Sequence, residues 1–292
     1  MAPVIVFAFN RPEKLVKCLN KLSNCSGAAC TDVYVVIDGP RDLRDVDQIK
    51  SCSDVARRFK DRFARLDIQQ RATNLGLARS ILLGVSTRLE QYNKVIVLED
   101  DLIVQGDFLQ YMNEALNVFE SQSNVGSISA YGPFIGEHSS EVVYLNKRSS
   151  SWGWATWQDR WERVDWDIAL DPYKNVSTFI NCLLSGQDLF RMMRAFNKGK
   201  ISSWSVRFTY FHWIQGLYCV YPYDSRVHNI GFSAEGTNTK MDNCHMLKLS
   251  QEYKGIIDAN NLKYSLRKQI VFSLYYSFFY RLFCRLRNIY VK

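Results

Sequence analysis

Three uninterrupted apolar runs in the first hundred residues constrain the fold most: Val4-Ile-Val-Phe-Ala-Phe9, Val33-Tyr-Val-Val-Ile37 and Val95-Ile-Val-Leu98. None alternates polar with apolar residues, so each predicts a strand buried on both faces, as in a parallel sheet. Helical patterns separate them. Pro12 opens a stretch in which Leu15, Cys18, Leu19 and Leu22 share one face, and 46–63 reads as a helix with one polar side. After a short strand at 67–70, Leu82, Leu83, Val85 and Leu89 mark a third helix. This alternation predicts an α/β fold with a Rossmann-like, mostly parallel central sheet flanked by helices. Such sheets bind ligands beyond the carboxyl ends of their strands, where Asp38 and the run Glu99-Asp100-Asp101 fall.

The second half changes character. A helix is predicted at 108–121 and a strand at 125–130, followed by a tryptophan-rich segment, Trp152 to Trp161, and an aromatic stretch at 204–221. Residues 226–239, rich in Gly and polar side chains, read as a mobile loop. Net charge is +8, but Lys263, Arg267, Lys268, Arg281, Arg285, Arg287 and Lys292 sit in the last thirty residues with no acid among them. The rest is nearly neutral, which excludes a nucleic-acid binder with its basic stripe on the folded body. Residues 263–292 read as a basic aromatic helix whose uncharged core, 269–280, is too short to cross hydrocarbon. Either it lies on an anionic membrane surface or it packs on the domain with its cations in water. The eight cysteines include no C-x-x-C pair and are expected as reduced thiols. The opening residues lack a secretion-signal pattern, so a cytoplasmic location is expected, peripheral at the inner face of the membrane if the tail binds there.

Three adjacent carboxylates repel one another, and oxygen ligands of this kind suit Mn2+ or Mg2+ shared with substrate phosphates; the competing reading is a solvated acidic turn. Asp38 suits hydrogen bonding to a nucleobase or ribose, or a plain turn with Gly39-Pro40. Arg11 and Arg79 match diphosphate oxygens, though either type is more often a surface residue. Of Trp152, Trp154, Trp157 and Trp161, at least half are expected in the core and at least one beside a pocket, as a platform for a sugar ring. His228 has a structural reading and a weaker one as a metal ligand. No dinucleotide fingerprint, phosphate loop, zinc motif or hydrolase elbow is present.

The ordered set Ala8-Phe-Asn-Arg-Pro12, Val35-Val-Ile-Asp38-Gly39, Val97-Leu-Glu-Asp-Asp101, Trp152-Gly-Trp154, Cys219-Val-Tyr-Pro222 and Ser225-Arg226 resembles metal-dependent glycosyltransferases of the GT-A fold. More narrowly, it is similar to the N-acetylglucosaminyltransferase I type and to bacterial family 2 enzymes of envelope polysaccharide synthesis, such as lipopolysaccharide and O-antigen. The resemblance covers about 3–240. It implies a GT-A domain at 1–240, with a donor half to about 105 and an acceptor half from 106, and a helical extension at 241–292.

That resemblance assigns Arg11 and Asp38 to the base and diphosphate of a nucleotide-sugar donor, with a UDP-sugar favoured. Asp100 would contact the ribose, Glu99 the sugar, and Asp101 would ligate Mn2+ or Mg2+. Arg79 is a further donor-site candidate. Trp152, Gly153 and Trp154 match the segment beside donor sugar and acceptor, and Gly231 to Thr239 match a loop that orders over bound donor. The acceptor would be a saccharide or a lipid-linked saccharide. One departure concerns the catalytic base: the family's Asp after the Trp of Ser203-Trp-Ser-Val-Arg is here Ser205, which leaves Glu235 and Asp159 as candidates for an inverting displacement. A sugar-nucleotidyltransferase, and a catalytically inactive nucleotide-sugar or glycan-binding module, are the alternative readings.

Overall fold

The computed structural model describes residues 1–133, 142–231, 253, 256–260 and 262–277. The apolar runs form β1 (Val4–Ala8), β2 (Asp32–Ile37) and β4 (Lys94–Glu99), with β3 (Arg65–Gln70) as the short strand. Between them lie α1 (Pro12–Ser23), α2 (Val46–Arg57) and α3 (Leu77–Tyr92). The chain continues through β5 (Leu102–Val104), α4 (Phe108–Val118), β6 (Val125–Ser129), β7 (Val143–Asn146), β8 (Trp154–Trp157) and α5 (Gln158–Trp161). It then runs through α6 (Val176–Ser185), α7 (Asp188–Asn197), α8 (Trp204–Ile214), β9 (Tyr218–Pro222), β10 (Val227–Asn229) and α9 (Leu266–Tyr275).

Eight strands form one sheet in the order β3-β2-β1-β4-β8-β6-β9-β7, and β5 pairs with β10 in a small antiparallel ribbon. The first four strands are parallel, whereas β8 enters antiparallel between β4 and β6, and β7 closes the far edge antiparallel to β9. Thus the α/β fold with a mostly parallel sheet flanked by helices is the one the alternation predicts.

The apolar runs lack alternation because both sheet faces are covered. Val4, Val6, Val33 and Val35 face Leu15, Leu19 and Ile49 on one side. Ile5, Phe7, Tyr34, Val36, Val95 and Val97 face Ile81, Val85, Trp204 and Phe208 on the other.

Some helices are shorter than their patterns predict. The 46–63 helix stops at Arg57, and after a 3-10 turn at Lys60–Arg62 the chain tucks Phe63 into the core. The 108–121 helix stops at Val118. In the tail, α9 covers only Leu266–Tyr275, with non-helical chain before it, and 278–292 lie outside the described residues. Tyr253, Ile257 and Phe272 pack into the same core as β1 and α1. Among the described residues no helix is long and apolar enough to cross a membrane, and all six described cysteines are free thiols.

Helix α8 is buried nearly all round, and it carries His212 into the core. The ring's Nδ1 lies 2.7 Å from the Phe208 carbonyl and Nε2 2.9 Å from Ser127 Oγ. Since a carbonyl only accepts, Nδ1 bears the proton and Nε2 accepts from the serine hydroxyl. Burial holds this histidine down at about 4, against the Phe208 bond, which favours protonation, and with Lys147 adding to the fall. Above pH 6.5 both folded and unfolded chains carry it neutral; below that only the unfolded chain takes up the proton, so stability falls between pH 6.5 and about 4, by about 3 kcal/mol in all. Urea titrations across that range should show this loss, and His212→Gln should flatten it; an equally steep curve in the variant would place the effect elsewhere.

Candidate functional site at the carboxyl edge of the sheet

The register aligns Ala8 with Ile37 and Phe7 with Glu99, so the chain leaves β1, β2 and β4 at one edge. Asp100 extends the ladder, its N–H donating to the Phe7 carbonyl at 2.9 Å. The three carboxylates therefore emerge from a buried strand beside the Phe9-Asn10-Arg11 turn. Arg11, at the N-cap of α1, reaches back over them. Its Nη1 donates to Asp101 Oδ2 at 3.0 Å, its Nε to Asp100 Oδ2 at 3.3 Å, and its Nη2 pairs with Asp100 Oδ1.

One guanidinium faces three acids, and Asp100 and Asp101 are both buried. Burial raises Glu99 well above the usual carboxylate range, and the charges of Asp101 and then Asp100 raise it further. Asp100 is pushed up to about 6 by burial in spite of Arg11. The cluster is short of positive charge. Among the described residues no group of three or more His, Cys, Asp or Glu side chains is arranged to hold a metal ion. An ion at Asp101 would take its remaining oxygens from phosphate or water, the arrangement hard cations such as Mg2+ favour.

The β5–β10 ribbon closes one side. Immediately after β10, the Ile230 N–H donates to the Asp101 carbonyl at 2.9 Å, and Gly231 N–H donates to Asn229 Oδ1 at 2.5 Å. A Cβ on Gly231 would run into the Asp101 carboxylate and Asn229 Oδ1. The expectation of a loop across 226–239 is corrected at its start, where Val227–Asn229 pair with β5 as β10, and the contact of Gly231 with the acidic cluster comes from that ribbon. The residues 232–239 of that loop, and with them Glu235, lie outside the described residues. His228 alternates with Val227 and Asn229 along β10, so its side chain lies on the ribbon face opposite Asn229.

Asp38 sits at the end of β2 with both oxygens engaged. Oδ1 accepts from the Gly39 and Leu75 N–H groups at 3.0 Å each, and Oδ2 from Gly76 N–H at 2.9 Å. It fastens the loop that starts α3, the turn reading made long-range. Gly39 is required there because a side chain would strike the Thr73 backbone. Arg79 is exposed on the first turn of α3, at the same edge, with no described hydrogen bond to the acidic cluster.

Trp154 pairs with Val97, the last register pair between β8 and β4, so the chain enters β8 from the carboxyl edge, with Trp152 just before the strand. Trp152 is half-buried, its ring edge-on to Tyr131 at 4.7 Å. Gly153, at φ +62°, turns the chain between them and accepts from the Ala130 N–H. The other tryptophans are core. Trp154 stacks on Trp204 at 4.5 Å and on Trp161 at 5.6 Å, and Trp157 and Trp161 are equally buried. The expectation of a donor-facing Trp154 ring is corrected: at 1% exposure it offers no open face.

A second correction removes Asp159 as the catalytic base. Because β8 runs antiparallel to β4, Trp157 pairs with Lys94 at the start of that strand, and Gln158 N–H donates to the Asn93 carbonyl. Asp159 follows at the amino edge, roughly 16 Å along β4 from Glu99, exposed and paired with Arg160 at 2.7 Å. Ser205, by contrast, lies in the first turn of α8, next to the Trp204 ring that stacks on Trp154; its Oγ is 3.2 Å from Ser203 Oγ.

Two side-chain pairings had no sequence signal, although Asn10 and Arg226 themselves belong to the segments that carry the resemblance. Arg41 and Asn10 converge on the buried Asp45, with Arg41 Nε to Oδ2 at 2.8 Å and Asn10 Nδ2 to Oδ1 at 2.8 Å, while the guanidinium lies over Phe9 at 4.9 Å. Arg226 Nη1 donates to Asp107 Oδ2 at 2.9 Å, both side chains under 10% exposed, which anchors β10 to the start of α4.

No protein-family model matches the chain. Among solved structures it is similar to S. aureus TarS 1-349, with 11% identity over 79% of this chain and 61% of that one, TM-score 0.46. It is also similar to a cytidylyltransferase from Leptospira borgpetersenii, with 11% identity over 62% of this chain and 70% of that one, TM-score 0.36. A third is the galactosyltransferase LgtC in complex with donor and acceptor sugar analogs, with 14% identity over 72% of this chain and 70% of that one, TM-score 0.36. The chain spans about three fifths of TarS 1-349 and 34% of a longer TarS structure.

Proposed function

We propose that the chain is a metal-dependent GT-A glycosyltransferase that moves a sugar from a nucleotide-diphosphate sugar, UDP-linked by preference, to a saccharide or lipid-linked saccharide of envelope polysaccharide. The observation that carries this reading is the Glu99-Asp100-Asp101 cluster at the carboxyl end of β4, with Asp100 and Asp101 buried and, among the described residues, Arg11 as the cation paired with them. A bound Mn2+ or Mg2+ would supply charge neutralisation at the leaving diphosphate, and Asp101 would hold it. Arg11 then exchanges a carboxylate for diphosphate oxygens, which its planar fork matches. Trp152, half-buried just before β8 at the carboxyl edge, supplies the sugar platform. With Asp159 at the opposite edge, Glu235 is the base candidate that stays in this proposal. Ser205 favours a second reading, a nucleotide-sugar-binding module without turnover.

Released nucleoside diphosphate, measured for UDP-, GDP- and dTDP-sugars with and without Mn2+, separates these readings. Metal-dependent release from one donor supports the transferase; tight binding without release supports the module; neither binding nor release overturns both. Gly231→Ala should weaken metal-dependent donor binding by about tenfold, because the new methyl displaces the Asp101 carboxylate. Its Tm should stay within about 2 °C of the parent. Calorimetric titration checks this, and unchanged affinity would dissociate Gly231 from the site.

A further inference from the structure

Helix α6 is inside out. Its buried positions are Thr178, Asn181, Cys182 and Ser185, while Val176, Phe179, Ile180 and Leu183 point to solvent at spacings of three and four, one continuous stripe. Polar residues inward and a full apolar stripe outward reverse the arrangement of a surface helix in a water-soluble domain. Tyr173, 70% exposed, extends the stripe by stacking on Phe179 at 5.7 Å. Helix α9 packs beside α6, Gln269 Nε2 donating to the Leu184 carbonyl at 2.7 Å, and it shows the same outward pattern in Leu266, Ile270 and Leu274. The two stripes make an exposed apolar face of the kind that marks an interaction surface.

The charge around this face says what covers it. From 172 to 207 the sole acid is Asp188, which is held by Arg148 through two bonds of 2.9 Å. Lys174, Arg191, Arg194, Lys198 and Lys200 in that interval are all exposed. Phe190 of α7 joins the apolar face through ring contacts to Tyr173 at 6.1 Å and Phe179 at 6.0 Å, and Arg194 lies one turn further along the same side. Lys263 and Arg267 are exposed at the other border, beside α9. Among the described residues, the exposed acids next in sequence to these helices are Asp171 before α6 and Asp258 before α9. A second copy of this face would bring like charges together, whereas an anionic lipid surface satisfies both the apolar stripe and its basic border.

We propose that α6 and α9, bordered by the basic residues of α7, form a docking face for an anionic lipid bilayer. The face is rigidly mounted. The inner side of α9 grips the core through Gln269 Oε1, which accepts from Lys147 N–H at 2.9 Å, and through Tyr275, whose hydroxyl lies 3.2 Å from that of Tyr131. This inference stands independently of the transferase reading, because docking needs neither donor nor metal.

The test is co-sedimentation of the full chain, without donor, with vesicles of phosphatidylcholine alone or with roughly a third phosphatidylglycerol. Binding should be at least about tenfold stronger to the anionic vesicles and weaken as salt rises. Ile180→Asp/Leu183→Asp should reduce it at least about tenfold while circular dichroism and Tm stay at parental values, since both side chains are exposed. Arg191→Gln/Arg194→Gln should lower binding to anionic vesicles alone. Three results would each overturn the proposal: no binding by the parent chain, undiminished binding by the Ile180/Leu183 variant, or loss of binding only when 278–292 are deleted. Sedimentation equilibrium provides the remaining check, because a parental dimer that the Ile180/Leu183 variant dissociates assigns the face to a second copy instead.

Discussion

Asp101→Ala is expected to lower the proposed metal-dependent release of nucleoside diphosphate by about 10³-fold and to leave the fold intact. Asp101 is the acid of the cluster that both Arg11 and Gly231 approach, and its backbone is fixed independently of its side chain by the Ile230 N–H. Removing the carboxylate therefore deletes the oxygen donor without loosening the ribbon. Arg11 retains its pairing with Asp100, so no buried guanidinium is left uncompensated. Asp101→Asn should behave nearly as badly, because an amide keeps the shape but not the charge that draws a hard cation. Parallel measurements of turnover and of Mn2+ binding by calorimetry decide the matter. Full metal-dependent turnover in Asp101→Ala would remove this residue from the metal site and return the acidic run to a solvated-turn reading.

The largest effect on stability belongs to Arg226→Ala, expected to cost about 3–5 kcal/mol and to lower Tm by about 10 °C. The pair with Asp107 is buried on both sides, and the same Asp107 oxygen accepts from the Tyr253 N–H at 2.5 Å. Deleting the guanidinium leaves a carboxylate in the core against the Tyr253 ring, over which the arginine now lies at 5.1 Å. The damage should spread to the site, because Arg226 N–H also donates to the Ala130 carbonyl at 2.8 Å and its carbonyl accepts from Gln105 N–H at 2.9 Å, so this residue joins β10 to β5. If charge burial is the cause, Arg226→Met with Asp107→Leu should recover most of the loss, since well-packed apolar replacements of buried ion pairs are often neutral. Differential scanning calorimetry of the single and double variants tests this. A single variant that melts within about 2 °C of the parent would mean the pair is solvated on unfolding and folding alike.

Local pattern made the β3-β2-β1-β4 half of the sheet legible in the sequence. A strand covered on both faces needs apolar residues at consecutive positions, and β1, β2 and β4 show them. The acidic run and the basic tail are likewise written in consecutive residues, so their place at a strand end and a chain end follows without knowledge of the fold. Tertiary structure decided which side chains meet. The antiparallel insertion of β8 between β4 and β6 depends on pairing over tens of residues, and it alone sends Asp159 to the amino edge while leaving Trp152 on the carboxyl side of β8. Whether an aromatic ring is platform or core rests on long-range packing, and so Trp154 and Trp152, two residues apart, separate into stacked interior and half-open surface. Asp38 satisfies the N–H groups of a loop 37 and 38 residues away, and Gly231 touches Asp101 because the ribbon returns there. Residue type and period set the elements; the order in which distant strands pair set the site.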